Sequence, residues 1–317
     1  MIKNAGEKKM QYVIGVDGGG TKTRGIIADE KGQEIAEYIV GATNQHSVGF
    51  DKAKENLFTL FDYLMSQAST SEKDIAGVCI GLAGIDRKED EKLFESHLVK
   101  KFPSATIRVY NDSFIGLYGG CHQAYGIMVN SGTGTIVFGR NMQGLEARAS
   151  GWGHILGDEG SGYDIGRRAL MSICNAYDGR GESTLLTEII LGKLQLRNAE
   201  DLLGWILKNN ADKSEIADLS RYVHDAYLKG DKKAMEILNY AAGELAKGVK
   251  AVANRINIIN EEYNLVTTGG NLKYHKEFVD LLKECVMEFS PKCIIIYPKD
   301  TPVKGSIMWI LKECGFK

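Results

Sequence analysis

Residues 12–29, YVIGVDGGGTKTRGIIAD, place three consecutive glycines between two apolar runs. Tyr12–Val16 and Gly25–Asp29 read as β-strands. A hairpin turn needs one or two residues that tolerate unusual backbone angles, and three glycines exceed that need. They strip a turn of side chains, so that backbone N–H groups can approach an oxyanion closely. Thr21 and Thr23 add hydroxyl donors and Lys22 a positive charge. Asp17, at the end of the first strand, is suited to hold Mg²⁺ through water, because Mg²⁺ keeps much of its hydration shell. The segment is neither a Walker loop, lacking GKS/T, nor a dinucleotide fingerprint, lacking GxGxxG at a helix start. It reads as a phosphate-binding turn, with a plain glycine-rich hairpin as the alternative.

The pattern recurs. VNSGTGT at 129–135 aligns with VDGGGTKT at 16–23, placing Val129 over Val16, Asn130 over Asp17 and Gly132 over Gly19. A third glycine turn, Thr268-Gly269-Gly270-Asn271, follows a strand at Leu265–Thr268. Each is weak alone; three at strand ends in one chain are much less easily incidental. The recurrence suggests two related domains, which suits a chain of 317 residues at about 100–200 residues per domain.

The rest of the chain supports an α/β layer. Lys31-Gly32 reads as a turn, Gln33–Val40 as a third strand, and Phe50–Ala68 carries a helical apolar stripe. A strand at Ile75–Leu82, a helix at Glu91–Phe102 and a strand at Thr106–Tyr110 follow, giving the order β-β-β-α-β-α-β. Ile127–Val129 and Thr135–Gly139 flank the second turn. A loop over 151–162, helices through most of 163–257, helices at Tyr274–Phe289 and Val303–Cys314, and a strand at Cys293–Tyr297 complete the reading.

Composition removes several function classes. The 39 Lys+Arg against 41 Asp+Glu give a net charge of −2, with no electrostatic footprint for nucleic acid and no polybasic patch for a membrane. The polar N-terminal stretch carries no signal-peptide apolar region. The uncharged run 113–139 is long enough to span a bilayer. Its seven glycines and many polar residues argue instead for packed loops and strands. The six cysteines form no CxxC pair, so reduced thiols and the cytoplasm are expected. The six histidines show no HExxH or HxH spacing, which argues against zinc.

In this order, these turns resemble the actin/hexokinase/Hsp70 ATPase superfamily, with its DxGxTxT and GTG phosphate loops and adenosine-site GG. ATNQH with Asn44, GLAGIDR (81–87), Asn111-Asp112, SGTGT (131–135), GWGHILGDEGSGYDIGRRAL (151–170) and TTGGN (267–271) resemble the N-acetylglucosamine kinase family of the BadF/BadG-type group. The likeness runs over about 12–310, and the GWGH…GDEGS stretch is its most specific part. No motif is recognisable over about 175–260.

The resemblance implies two RNase H-like α/β domains of actin/hexokinase type, with ATP in a cleft between them. The expected domains are 10–118 and 119–302, with a closing helix over 303–317 that packs back on the first. It implies that the γ-phosphoryl group moves to O6 of a sugar, with Asp112 as general base. Gly18, Gly19, Gly20, Thr21, Lys22, Gly132, Thr133, Gly134, Thr135, Gly269 and Gly270 would hold ATP, and Asp17 Mg²⁺. Asn44, Asp112, Gly151, Trp152, Gly153, His154, Asp158 and Glu159 would hold the sugar. Carboxylates and amides take sugar hydroxyls in pairs, and Trp152 could offer apolar surface to the ring; a core tryptophan is the other reading of Trp152. Arg167 and Arg168 are expected to brace the GDEGSGY loop. The sugar is N-acetylglucosamine or N-acetylmuramate, with glucosamine and glucose as substitutes. A homodimer and a place in cell-wall recycling are also expected.

Three other readings fit less well. An ATPase activator of a 2-hydroxyacyl-CoA dehydratase would need cluster cysteines, and Cys121 alone lies near the second turn. A sugar-sensing repressor would need a DNA-binding module ahead of the first strand, where too few residues precede it, and a zinc motif that is missing. A glycosidase would need two separated carboxylates, and Asp158-Glu159 are neighbours.

Overall fold

A computed structural model describes residues 10–85, 87–208 and 212–316. Asp86 of the GLAGIDR segment, and 209–211 within the expected helical stretch, lie outside the described residues. The first part of the chain forms β1 (Tyr12–Gly18), β2 (Lys22–Asp29), β3 (Glu34–Gly41), α1 (Gln45–Val48), α2 (Phe50–Gln67), β4 (Ile75–Leu82), α3 (Lys88–Lys101), β5 (Thr106–Asn111) and α4 (Asp112–Cys121). The second forms β6 (Gly126–Ser131), β7 (Thr135–Arg140), β8 (Glu146–Ser150), α5 (Gly162–Tyr177), α6 (Leu185–Leu194), α7 (Asp201–Lys208), α8 (Lys213–Asp218), α9 (Ser220–Leu228), α10 (Lys232–Arg255), β9 (Tyr263–Thr268), α11 (Gly270–Tyr274), α12 (Lys276–Met287) and β10 (Cys293–Ile296). The chain closes with α13 (Pro302–Glu313). By contacts it divides into one unit of 1–124 with 298–317 and another of 125–297.

Each unit is built on a five-stranded sheet, in the orders β3-β2-β1-β4-β5 and β8-β7-β6-β9-β10. In both, the first strand of the unit pairs antiparallel with the next and parallel with a later one. The two sheets therefore share one topology, and the sequence echo between 16–23 and 129–135 marks the same corner in each. The sheets and their helices are the expected α/β architecture.

In the first unit, the amphipathic stripe of α2 buries Ala53, Leu57, Leu60, Phe61, Leu64 and Met65. It packs with Ile14, Val16, Ile27, Val78 and Ile80 of the sheet. The register aligns Gly18, Leu82 and Asn111 on neighbouring parallel strands. The turns after β1, β4 and β5 consequently open at the same edge, which is where ligands sit in parallel sheets.

One segment differs from the sequence reading. Residues 112–121, expected as part of a loop-and-strand region, form α4, with every residue from Ser113 to Cys121 buried. Its glycines serve a helix crossing, not turns. A Cβ on Gly119 would lie 2.7 Å from the Thr301 carbonyl oxygen, and one on Gly305 only 2.4 Å from that of Ile115. Two facing glycines let the backbones of α4 and α13 touch. Trp309 then seals the crossing edge-on against Phe114 and Tyr118, each such pair adding about 0.5–1.5 kcal/mol beyond its buried area. No helix among the described residues is long and apolar enough to cross a membrane.

The second unit gathers α5, α6, α9, α10 and α12 against its sheet, with Ile127, Val129, Val137 and Leu265 contacting Leu245, Val249 and Val252 in one core. Its edge strand β8 was not read from the sequence. EARAS buries only Ala147, too little apolar patterning to register as a strand.

Candidate functional site

The first unit assembles one group of predicted residues. Gly18 ends β1, and the turn 19–21 leads into β2, closed by the Gly19 N–H donating to the Lys22 carbonyl at 3.0 Å. The Gly19 carbonyl in turn accepts from the Thr43 and Asn44 N–H groups at 3.1 and 3.3 Å. A buried Thr23–Thr43 hydroxyl pair at 2.8 Å ties the same segments together. Asn44, a predicted sugar residue, therefore stands beside the predicted phosphate turn. Its side chain caps α1 by accepting the His46 N–H at 2.9 Å. On its other side lies Gly84, held at φ +81°, where a Cβ would come within 2.4 Å of the Asn44 side-chain oxygen. Only glycine fits that left-handed, crowded position.

Asp112 opens α4 at the same sheet edge. Asn111 is the helix cap, accepting the Ser113 N–H at 3.0 Å, and donates its amide to the Ile85 carbonyl at 3.0 Å. Asn111 thus does the local structural work, and Asp112 is not needed as a cap. Its Oδ1 lies 3.4 Å from the Ser113 hydroxyl.

Asp17 lies one residue before the turn, with its carboxyl half buried. Burial lifts its pKa from 3.8 to about 6, against the opposing pull of Arg24 and Lys22. Arg24 is itself clasped by Glu37 at 2.6 and 2.7 Å. A half-buried carboxylate that burial disfavours fits a hydrated cation well, because a cation restores the lost stabilisation of its charge.

The second unit brings together a different set. The Gly132 N–H donates to the Gly134 carbonyl at 3.0 Å, and the Gly132 carbonyl accepts from Gly162 at 2.8 Å. Gly269, at φ +86°, presses on this turn; a Cβ there would be 2.4 Å from the Ser131 carbonyl. The Ser131 hydroxyl donates to the Gly160 carbonyl at 2.7 Å and accepts from the Asn271 amide at 3.1 Å. Three segments distant in sequence, 131–135, 160–162 and 269–271, are thereby locked into one surface. A cavity of about 440 Å³ opens on it, lined by Gly132, Thr133, Gly162, Ala217, Gly270 and Asn271 among others.

Beneath that cavity the rings of His224 and His275 stack at 3.6 Å, and both Nδ1 atoms meet Glu277 Oε1, at 3.2 and 3.3 Å. Burial, helped by neighbouring His275, pushes His224 down to about 3, so it is neutral at physiological pH. The ligand atoms of His224, His275 and Glu277 lie within 4.8 Å of one another.

The predicted sugar residues of this unit fall into three environments. Trp152 and His154 sit on an exposed loop after β8; Trp152 is 64 % exposed, with Arg148 5.2 Å above its ring, so it is not a core residue. His154 meets Tyr163 edge-on at 5.0 Å. Gly151 and Gly153 frame this loop at φ +73° and +82°. Glu159 lies in the field of Tyr240 and Lys247 of α10. Asp158 points elsewhere: it is buried, receives Lys213 Nζ at 2.6 Å, and accepts the Thr135 N–H at 3.3 Å. Arg167 and Arg168 both reach Asp164, at 3.4 and 3.0 Å. Asp164 also accepts the Gly160 N–H, so the arginines brace the loop.

Sequence reading missed Lys213, which lies in the stretch without motifs, and the histidine pair. Neither has a local signal; both are brought in by helices α8, α9 and α12.

Residues 14–309 match the model of the BadF/BadG/BcrA/BcrD ATPase family. The chain is 39 % identical over 305 residues to an N-acetylmuramic acid/N-acetylglucosamine kinase of Clostridium acetobutylicum, covering 96 % of this chain and 100 % of that one. It is 33 % identical over 314 residues to an N-acetyl-D-glucosamine kinase of Dictyostelium discoideum, covering 96 % and 98 %. A solved structure of a candidate N-acetylglucosamine kinase from Chromobacterium violaceum superimposes with a TM-score of 0.72 at 25 % identity, covering 95 % and 99 %. The chain belongs to the BadF/BadG/BcrA/BcrD ATPase family.

Proposed function

We propose that the protein is an ATP-dependent kinase of N-acetylated amino sugars, transferring the γ-phosphoryl group to O6 of N-acetylglucosamine and of N-acetylmuramate. The supporting observation is the shared sheet edge of the first unit. There the β1–β2 glycine turn, Asn44 and Asp112 stand together, held by the Gly18–Leu82–Asn111 register. A phosphate cradle, a sugar-binding amide and a carboxylate base are the parts such a transfer requires. The names of the two curated relatives point the same way.

Phosphoryl transfer asks a protein mainly for positioning and charge stabilisation. In this reading the turn 18–22 presents backbone N–H groups and the Thr21 hydroxyl to the phosphates. Within the second unit, the turn 132–135 and the pair Gly269-Gly270 are nucleotide contacts, with the 440 Å³ cavity taking the adenosine end. Asn44 is the first unit's sugar contact; Asp158, Glu159 and the Gly151–His154 loop are those of the second unit, Trp152 offering its exposed face. Asp112 takes the hydroxyl proton as the new P–O bond forms. Mg²⁺, when bound beside Asp17, neutralises charge on the phosphates.

Two alternatives remain to be separated by experiment. A glucosamine or glucose kinase would share every element above, since one or two side chains around C2 and C3 are worth only about 1–3 kcal/mol. The dehydratase-activator reading gains nothing from Cys121, which is buried and donates its thiol to the Leu117 carbonyl. A coupled ADP-release assay across N-acetylglucosamine, N-acetylmuramate, glucosamine and glucose decides. The expected result is the highest kcat/KM on the two N-acetylated sugars. Turnover on none of the four sinks the proposal, and preference for glucosamine or glucose moves it to the alternative.

A further inference from the structure

Lys213 carries the inference. Its ammonium lies 2.6 Å from Asp158 Oδ2, and the pair sits against the second glycine turn. A Cβ built on Gly134 would be 2.9 Å from Asp158 Oδ2 and 3.2 Å from Lys213 Nζ. The same carboxylate accepts the Thr135 N–H through Oδ1. Asp158 is therefore a buried negative charge set into the floor of a turn whose exposed backbone suits an anion. Alone it would repel the phosphates the turn is shaped to receive. Lys213 cancels it, and about a third of the lysine side chain stays open to solvent.

Two further observations point to a ligand there. Thr135 is buried, and among the described residues its hydroxyl has no hydrogen-bond partner. A buried hydroxyl left unpaired is costly, so a ligand oxygen would satisfy it. Lys213 also begins α8, whose Ala217 and Asp218 line the 440 Å³ cavity together with Gly132 and Thr133. The ammonium thus stands against the glycine turn at Gly134, and the same turn lines the cavity through Gly132 and Thr133. Arg221, which lines that cavity, is already held by Asp218 at 2.6 Å.

Resting on the kinase reading above, we infer that Lys213 is a phosphate-binding residue of the second unit. It is held in place by Asp158, and it supplies the positive charge that lets a buried carboxylate and a nucleotide polyphosphate share one turn. Asp158 then has two duties. One edge of its carboxylate positions Lys213 and the Thr135 N–H, and its remaining lone pairs are available to a sugar hydroxyl.

Calorimetric binding of adenosine and of a non-hydrolysable ATP analogue to Lys213→Met, Lys213→Arg and the wild type tests this. The expected result for Lys213→Met is about 10- to 100-fold weaker binding of the triphosphate, the loss of one charged hydrogen bond. Adenosine should bind within about twofold of wild type, and Lys213→Arg should retain most of the triphosphate affinity. Adding Asp158→Asn to Lys213→Met should recover part of the loss, because the uncompensated carboxylate goes too. Thermal unfolding of each variant identifies those that fold. If triphosphate and adenosine weaken together, or neither weakens, or the double variant recovers nothing, Lys213 is only a structural ion pair. A wild type that binds the triphosphate no better than adenosine overturns the kinase reading itself.

Discussion

Asp112→Asn lowers kcat by roughly 10²- to 10⁴-fold, the range expected for loss of a general base, with little change in the KM for either substrate. The substitution keeps the size and shape of the side chain and removes only its capacity to accept a proton. The cap of α4 does not depend on it. Asn111 caps α4 through the Ser113 N–H, and the Ser113 hydroxyl can still donate to an amide oxygen in place of Asp112 Oδ1. Unchanged circular dichroism and melting temperature should therefore accompany the loss of turnover. A kcat within tenfold of wild type would remove Asp112 from the mechanism, and an equal rise in both KM values would recast it as a binding group.

Asp17→Asn has an opposite pair of effects: the protein becomes more stable as it becomes inactive. Burial holds the folded-state pKa at about 6, above the ordinary 3.8. The folded state thus keeps the proton over a range where the unfolded chain has released it. Stability from this group is fullest below pH 4, falls between pH 4 and 6, and is lowest above that. An uncharged, isosteric amide avoids the loss. At pH 7 the gain is about 1–2 kcal/mol after allowing for solvent screening, a rise of a few degrees in melting temperature. Below pH 4 the wild type is protonated in both states, so the gain should vanish. Turnover should fall with it, since a neutral amide holds a hydrated dication poorly. A melting temperature that drops, or rises equally at pH 3.5 and 7, would show that the burial of Asp17 is not what shifts it.

These expectations rest on residues of unequal legibility. The hairpin at 12–29 was readable because two continuous apolar runs and a triple glycine are all local signals. The second turn was readable by its likeness to the first, and the matching sheet orders explain why that likeness exists. Helix α4 was not readable. Glycine in a sequence signals a turn far more often than a helix crossing, and Gly119 has meaning only once Gly305, far along the chain, is known to face it. Strand β8 was hidden by its polarity. Asp158 stood out as a carboxylate in a distinctive loop, yet its partner Lys213 lies 55 residues away in a stretch without motifs. Charge pairing across such a distance is set by helix packing, which no spacing rule encodes.

The central claim is transfer of phosphorus from ATP to a particular sugar oxygen. Proton–phosphorus correlation NMR of the product, formed from ATP and N-acetylglucosamine, tests that most directly. The account predicts one new phosphorus resonance coupled to the two protons on C6, appearing as ATP is converted to ADP. A phosphorus coupled to the anomeric proton, or ATP hydrolysis to free phosphate with the sugar unchanged, would contradict it.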